Sequence, residues 1–582
     1  MSQKKYRRLR AVEKQKEVQK EEVITKIVSR ESFLNIIKKN WLFLGILFIG
    51  VILLYLNAQR GHFVSDDYAT ISQNPMVTDV KDGFFHPVMF LNTMHISNWF
   101  VSTVFGTTNP LPHHVFSLIL YLFFLVLAFS FIGKVFGMKL AYITSIIFAL
   151  HPIHVEAVSW ISGRVYVIIG IYLLLAFMSF INSFETGKIK YIIWMIVFFV
   201  AGYLNDWPRI FSLIPLVFLY LWYLGWNNKL VMNKVKKFIP YLIGLFIIFA
   251  ILIIPHIKNR IGAVNGGYNF SDSIFYNPFF QYPTGIAKYL QLLWAPVDLT
   301  LYHTLYVFPA WFNWLIIFVF TWIIFYFIKR DKRIVFALMF FLVVLAPSMA
   351  PVKVSWLVAE RYVFLASLGF CLFLAILVED INIRVKNLGY VLLVPVLCFY
   401  CVRVFLRNID WQTNHNLWVR TVQYSWNSHN AWNNIGDDYD KLGQMDNAIK
   451  GFGQSYVVKP NYADAYHNQA NIFFKIKRYD LARQGYETAV GISSALFQSY
   501  ISLTQVALYQ GDLNGAWGYS NKLMEAQPNN PQSYYVSGMV LLQAGKEADA
   551  VNYFKKALEI SPNYTPVIDV LKRMEEAKTI ED

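Results

Sequence analysis

The sequence is poor in charge and nearly empty of sulfur chemistry. Charged residues make up 15% of 582 positions, against about a quarter in soluble proteins. Hydrophobic residues reach 56% and aromatics 18%. So little charge excludes a chain solvated by water throughout. Cysteine occurs three times, at Cys371, Cys398 and Cys401, each inside an apolar run. This excludes a disulfide framework and a cysteine-based zinc site. Acidic residues (36) are fewer than basic ones (52), but the imbalance is local. Residues 1–40 carry 12 basic and 5 acidic side chains, whereas residues 410–582 carry 15 and 18. The one large segment of soluble composition is therefore slightly acidic, and nucleic acid is not expected as a partner.

What fills the chain instead is a series of apolar runs. A bilayer crossing needs roughly 17–25 such residues. Eleven runs qualify, near 40–57, 113–133, 139–158, 165–184, 190–205, 209–226, 238–257, 310–328, 334–350, 361–378 and 387–406. The first is too long, and too poorly followed by small residues, for a cleaved signal peptide, so it is expected to remain as an anchor. Basic residues cluster in the arm 1–39 and in alternate loops: Lys134 and Lys139; Lys188 and Lys190; Lys229 to Lys237; Lys329 to Arg333; Arg384 and Lys386. The positive-inside bias predicts that all of these face the cytosol and that the C-terminal segment lies on the opposite side. Lys288–Leu301 is apolar enough to suggest a twelfth crossing. Its Pro and Asp, and the charge bias, favour a non-crossing interfacial element.

From about residue 429 a period of 34 appears. Trp432, Tyr466, Tyr500 and Tyr534 share one position, Ala448, Ala482, Ala516 and Ala550 another. Gly443, Lys477, Gly511 and Gly545 recur at a turn, and Pro460, Ser494, Pro528 and Pro562 at a helix end. This is the tetratricopeptide (TPR) pattern. It predicts four repeats over 429–564, a connecting helix over 409–428, and a capping helix and tail over 565–582. The aromatics are accounted for as repeat core; the groove they build suits an extended peptide or a docked protein.

Polar residues at the ends of apolar runs carry the functional signal, because charge beside lipid is costly. The loop 58–112 opens with FVSDDYATISQNP, in which Asp66 and Asp67 are adjacent. Neighbouring carboxylates hold a proton acceptor near neutral pH; the alternative is a solvated turn. The third run ends HPIHVEAVSWISGR, with His151, His154, Glu156 and Arg164. The two histidines suit either a hydrogen-bonded pair or part of a metal site, and a metal requirement is left open. Glu360 and Arg361 open the tenth run; His114, Arg209, Lys288 and His303 add polar groups on the same predicted face. Such convergence predicts a site at the non-cytosolic lipid–water boundary. A lipid-borne phosphosugar fits it: the tail lies in the bilayer, a carboxylate takes the acceptor's proton, and arginine grips the phosphate.

FVSDDYATISQNP, HPIHVEAVSWISGR, KYLQLLWAPVDLTLYH and AERYVFLASLGFCL, in that order before the repeats, resemble the transmembrane and TPR repeat-containing protein O-mannosyltransferases of the GT-C superfamily. The resemblance covers about residues 40–564. It implies an all-α GT-C bundle over 40–408 followed by an α-solenoid. It also implies a polyprenyl- or dolichyl-phosphate sugar donor, inverting transfer of mannose to Ser or Thr hydroxyls of exported protein, and a catalytic acidic pair at Asp66 and Asp67. The chain departs from the family's pattern at His86-Pro87-Val88, at Tyr166 and around Asn205–Arg209. Arg361, with Arg164 second, is the expected partner of the donor phosphate; His151, His154, Glu156, Glu360, Lys288 and His114 complete the expected substrate site. The repeats would engage the acceptor.

Three other readings are open. One is transfer to a cell-surface glycan or lipid, or en bloc oligosaccharide transfer. Another is a non-catalytic membrane scaffold recruiting secreted partners through the repeats, and the last is a polytopic transporter with a TPR appendage. Composition favours a bacterial plasma membrane with the repeats outside; the endoplasmic reticulum with lumenal repeats is the alternative.

Overall fold

The computed structural model describes residues 31–78, 92–225, part of 231–251, 277–304, 308–349 and 356–581. Most of the basic arm, the His86-Pro87-Val88 motif and most of the expected crossing at 238–257 lie outside these residues. Among the described residues the structure is helical and contains no strand. Two compact units divide near Leu417.

The first unit is a bundle of apolar helices. Leu111–Phe136 starts with a proline in its first turn and stops at Gly137, whose φ of 101° an L side chain would resist. Arg164–Thr186 stops at Gly187, also left-handed, and returns as Ile189–Ile210. This hairpin therefore places Arg164 and Arg209 at one end of the bundle. Close helix packing needs small residues: a Cβ on Gly170 would lie 3.0 Å from the Phe124 ring. Phe124, Phe148 and Phe364 form an aromatic core there. In contrast, Ala310–Phe327 and Leu388–Asp410 expose Trp311, Phe318, Trp322, Phe325, Val391 and Val394, as lipid-facing helices do. The chain is a multi-pass membrane protein by these helices.

The expected eleven crossings are not all matched by helices of spanning length. Five described helices are long and apolar enough, or seven if each of two bent pairs is one span. The bent pairs are Phe33–Lys39 with Trp41–Leu54 and Met138–Leu150 with Pro152–Ser159. The shortfall has local causes. Pro208 interrupts the helix Ile189–Ile210, Leu213–Leu224 has only 12 residues, and Ser367–Arg384 carries Glu379, Asp380 and Arg384. The segment expected to lie at the interface forms the helix Pro278–Trp294 and a following loop.

Contacts sort the loops into two ends. At one end Lys134 pairs with Glu185 (2.7 Å), Lys139 with Glu379 (3.2 Å), and Arg333 with Asp331 and Asp380 (2.6 and 3.4 Å). These are the loops in which basic residues cluster. At the other end lie Asp66, Asp67, Glu156, Ser162, Arg164, Glu360, Arg361 and Arg407, joined by the contacts given below.

The second unit is four helix pairs and a terminal helix. The pairs are His429–Lys441 and Met445–Val458, Ala463–Lys475 and Tyr479–Ile492, Phe497–Tyr509 and Leu513–Ala526, and Pro531–Gln543 and Glu547–Ile560; Thr565–Glu581 follows. Ala448, Ala482, Ala516 and Ala550 are wholly buried at the helix contacts. Gly443, Gly511 and Gly545 adopt φ near 74° at the turn inside each pair, and Lys477 takes the same conformation at 61°.

Candidate active site

The turn that carries the acidic pair is held from three directions. Ser65 has φ 53°, unusual for a residue with a side chain, and its N–H donates to Asn414 Oδ1 at 2.8 Å. His62 N–H donates to the Gln412 carbonyl at 2.8 Å. Tyr68–Ser72 then forms one wide π-helical turn, with Thr70 N–H and hydroxyl both donating to the Asp66 carbonyl at 2.9 Å. The segment after the last bundle helix thus clamps the first loop.

This clamp gives the two aspartates different surroundings. Asp67 is wholly buried. Its Oδ1 accepts from the Ser162 hydroxyl (2.6 Å) and the Ser162 N–H (2.8 Å), and its Oδ2 accepts from the Val64 N–H (3.2 Å). Burial pushes its pKa up to about 6 despite these donors and the nearby Arg164. Asp66 is exposed, and among the described residues its carboxylate makes no hydrogen bond or ion pair. One aspartate anchors the turn and its neighbour is presented to solvent.

Ser162 is delivered by the turn Trp160–Gly163. A Cβ on Gly163 would lie 2.5 Å from the Glu156 carbonyl and 3.0 Å from that of Trp160, so glycine is required for this tight return. The next residue, Arg164, is fully buried. Its Nη2 donates to the His113 carbonyl at 2.9 Å and its Nη1 to the Ser97 hydroxyl at 3.4 Å, and its plane lies over the Phe116 ring. Arg164 therefore ties the helix Thr93–Phe105 to Leu111–Phe136 from beneath the acidic turn.

Two buried ion pairs flank this turn. Glu156 accepts from the Arg361 guanidinium, and its other oxygen accepts the Arg361 N–H at 2.9 Å. Glu360 accepts a fork from Arg407, at 3.0 Å to Nη2 and 3.3 Å to Nε, and Arg407 also reaches Asp410 at 3.1 Å. His303 Nε2 lies 3.5 Å from Glu360. Burial first, then the Lys288 cation, pushes the His303 pKa down to about 3, so this imidazole is neutral at physiological pH. Successive residues 360 and 361 thereby lock the turn before the helix Ser367–Arg384 to two other helices. Trp160 and Trp411 stack at 5.6 Å, with Arg361 over the first ring and Arg407 over the second.

The other expected site residues are placed as follows. His154 Nε2 meets the Ser367 hydroxyl at 2.8 Å and its Nδ1 meets Tyr121 at 3.3 Å; His151 Nε2 meets the Leu293 carbonyl at 3.0 Å and its Nδ1 accepts the Ile153 N–H at 3.1 Å. Both rings are wholly buried and engaged by protein on both nitrogens. His114 packs against Gly61, where a Cβ would come within 3.1 Å of its Nε2. Lys288 is largely buried beside His303. No group of three or more His, Cys, Asp or Glu close enough to hold a metal ion occurs among the described residues.

Four contributors escaped the sequence reading: Ser162 as the anchor of Asp67, Arg407, Trp411 and Asn414. Arg407 left a signal, since a charge near the end of an apolar run is rarely idle. Nothing in the sequence marks Asn414, whose partner is 349 positions away.

The fold and this end of the bundle define a class: a multi-pass helical membrane protein with an acidic, arginine-rich site and a C-terminal tetratricopeptide solenoid. The tetratricopeptide repeat family profile matches residues 463–495 and 531–564. The chain is similar to human "Protein O-mannosyl-transferase TMTC3", at 24% identity over 89% of this chain and 64% of that protein. Human "Protein O-mannosyl-transferase TMTC1" is 36% identical over 23% of this chain and 17% of its own length. The chain thus spans under two thirds of the curated relatives it matches, and the similarity to TMTC3 takes in most of the sequence, as the motif order led us to expect. Among solved structures, the crystal structure of MamA protein is 22% identical, covering 26% of this chain and 83% of that one, with a TM-score of 0.24.

Proposed function

We propose that this protein transfers a sugar, mannose by its resemblance, from a polyprenyl- or dolichyl-phosphate donor to Ser or Thr hydroxyls of exported protein. The observation that carries this reading is the exposed Asp66 carboxylate, unengaged among the described residues, set beside the buried, triply hydrogen-bonded Asp67. A Ser or Thr hydroxyl is a poor nucleophile at neutral pH. In the proposed reaction its oxygen attacks the anomeric carbon from the face opposite the phosphate, and its proton passes to Asp66. The bond from that carbon to the phosphate oxygen breaks, and its electron pair leaves with the lipid phosphate. A positioned base contributes typically about 10²–10⁴ in rate.

Asp67 is assigned to positioning, because burial and three donors leave its oxygens no room for an acceptor. Arg361, oriented by Glu156 at both its side chain and its main chain, is assigned to the leaving phosphate. The positive-inside bias of the opposite end supports a non-cytosolic site, and the repeats are assigned to engaging the acceptor polypeptide.

The test is transfer by the purified chain in vesicles containing radiolabelled polyprenyl-phosphate mannose, with a Ser/Thr-rich secreted polypeptide as acceptor. Label that becomes protease-sensitive supports the reading. Label in a protease-resistant glycan or lipid would favour the alternative acceptor class, and no transfer with tight acceptor binding would favour the scaffold.

A further inference from the structure

The helix Pro278–Trp294 and the loop after it present two unlike surfaces. Outward, Trp294 and Val297 are exposed and form an apolar rim, and Arg403 holds the loop by donating to the Pro296 and Val297 carbonyls at 3.0 and 2.8 Å. Inward lie polar groups that the proposed reaction leaves unused. Lys288 and Gln291 are three residues apart and so share one face of the helix. Lys288 is only 6% exposed, and among the described residues it makes no hydrogen bond or ion pair; Asp298 acts on it through space alone. The Gln291 side-chain oxygen is buried without a hydrogen-bond partner among the described residues, and so is the hydroxyl of the buried Thr300.

Glu360 brings these groups together. The Thr300 N–H faces its carboxylate, and His303 Nε2 lies 3.5 Å from it. Lys288 is near enough to the His303 ring to oppose its protonation. Glu360 itself is engaged by the Arg407 fork at 3.0 and 3.3 Å, so Lys288 keeps a charge that no carboxylate contacts. The next residue in the chain is Arg361, assigned above to the leaving phosphate. A buried ammonium without a partner and buried polar atoms without bonds each lower stability unless a ligand completes them. Their chemistry fits a head that carries an anion beside hydroxyls: an ammonium donates to phosphate, an amide oxygen accepts from a hydroxyl, and a threonine hydroxyl does either. The exposed apolar rim next to them suits a hydrocarbon tail.

We infer that Lys288, Gln291 and Thr300 form the subsite for the head of the lipid donor, with Lys288 on its phosphate and Gln291 and Thr300 on hydroxyls of its sugar. This rests on the proposed function for the identity of the lipid. The chemistry recognised is a phosphodiester lipid bearing a hydroxylated ring, which a polyprenyl-phosphate sugar and phosphatidylinositol share, and competition between them distinguishes the two.

The experiment uses the full chain in phosphatidylcholine nanodiscs, titrated with fluorescent polyprenyl-phosphate mannose and, separately, with the same polyprenyl phosphate lacking the sugar. Lys288→Met is expected to raise the Kd for both lipids at least about tenfold, the loss typical of a charge-assisted bond. Without lipid, its unfolding midpoint should equal or exceed that of wild type, because an unpaired buried charge is removed; a purely structural lysine would lower it. Thr300→Val and Gln291→Leu should each weaken the mannosylated lipid about threefold or more and leave the sugar-free lipid at wild-type affinity. This pair decides the matter if Lys288→Met does not fold. Phosphatidylinositol should fail to displace the probe. Wild-type affinity for the mannosylated lipid in Lys288→Met overturns the inference, as does the absence of selective weakening in Thr300→Val and Gln291→Leu, or displacement by phosphatidylinositol. A wild-type chain that binds neither polyprenyl lipid overturns the proposed function instead.

Discussion

The two ends of the bundle hold similar numbers of charges in opposite ways. At the end with the basic loops, Lys139 is 80% exposed where it meets Glu379, and Arg333 and Asp380 are each about one-third exposed; of these charges Lys134 alone is buried. At the other end Asp67, Glu156, Glu360, Arg164 and Arg407 are all buried, and each has a named partner. Exposed pairs contribute little to stability, because water competes and side-chain entropy is lost. Buried ones leave a costly charge behind when one partner is removed. The first end is therefore tolerant of change and the second is a built site, and the contrast can be broken or sharpened by substitution.

The largest effect is expected from Glu156→Ala. It strands the buried Arg361 guanidinium and should destabilise the chain by about 3–5 kcal/mol. Lys139→Ala at the opposite end should fall within about 0.5 kcal/mol of wild type. Thermal unfolding of both variants in one detergent measures the contrast, and equal losses would abolish it.

Gly163→Ala is next. Its Cβ has no space against the Glu156 and Trp160 carbonyls, so the turn must shift and Ser162 must leave Asp67. A destabilisation of about 1–3 kcal/mol is expected, with turnover falling while polyprenyl-phosphate affinity holds. Unchanged turnover would detach this turn from the site.

Asp67 should impose an acid limb on turnover. With its pKa pushed up to about 6, its ionised fraction falls about tenfold per unit below that pH, and the charge that strengthens the bonds from Ser162 and Val64 is lost with it. The stability linkage has the opposite sign. A carboxyl whose folded pKa lies above its ordinary 3.8 binds more protons folded than unfolded. Its contribution therefore declines as pH rises from about 4 to about 6 and is level above that. Activity lost on acidification, without lost stability, is the expected signature; Asp67→Asn should remove the limb near pH 6.

The smallest effect concerns the repeats. Lys477 adopts the left-handed conformation that glycine adopts in the other three. Lys477→Gly should stabilise the second unit by about 0.5–1 kcal/mol, the strain relieved less the added freedom of the unfolded chain. A lower unfolding midpoint would contradict this.

The repeats were almost fully legible in the sequence, since a period of 34 fixes each helix contact and turn locally. Even Lys477 stood in line with the three glycines. The bundle was legible by position but not by crossing: apolar runs reveal where helices lie, while Pro208 and the bends at Asn40 and His151 break them below spanning length. The site was half legible. Asp66 and Asp67 could be singled out but not told apart, because what distinguishes them is Ser162, 95 positions away. Glu156 and Arg361 were each noted, yet their pairing across 205 positions leaves no local trace.

The division of labour between the two aspartates is the central claim, and Asp66→Asn tests it most directly. Asparagine keeps the size of the side chain and removes the proton acceptor, and among the described residues the Asp66 carboxylate makes no hydrogen bond or ion pair that folding needs. In vesicles with radiolabelled polyprenyl-phosphate mannose, the account predicts turnover reduced at least about a hundredfold, with donor affinity and the unfolding midpoint at wild-type values. Near-normal turnover by Asp66→Asn would contradict it.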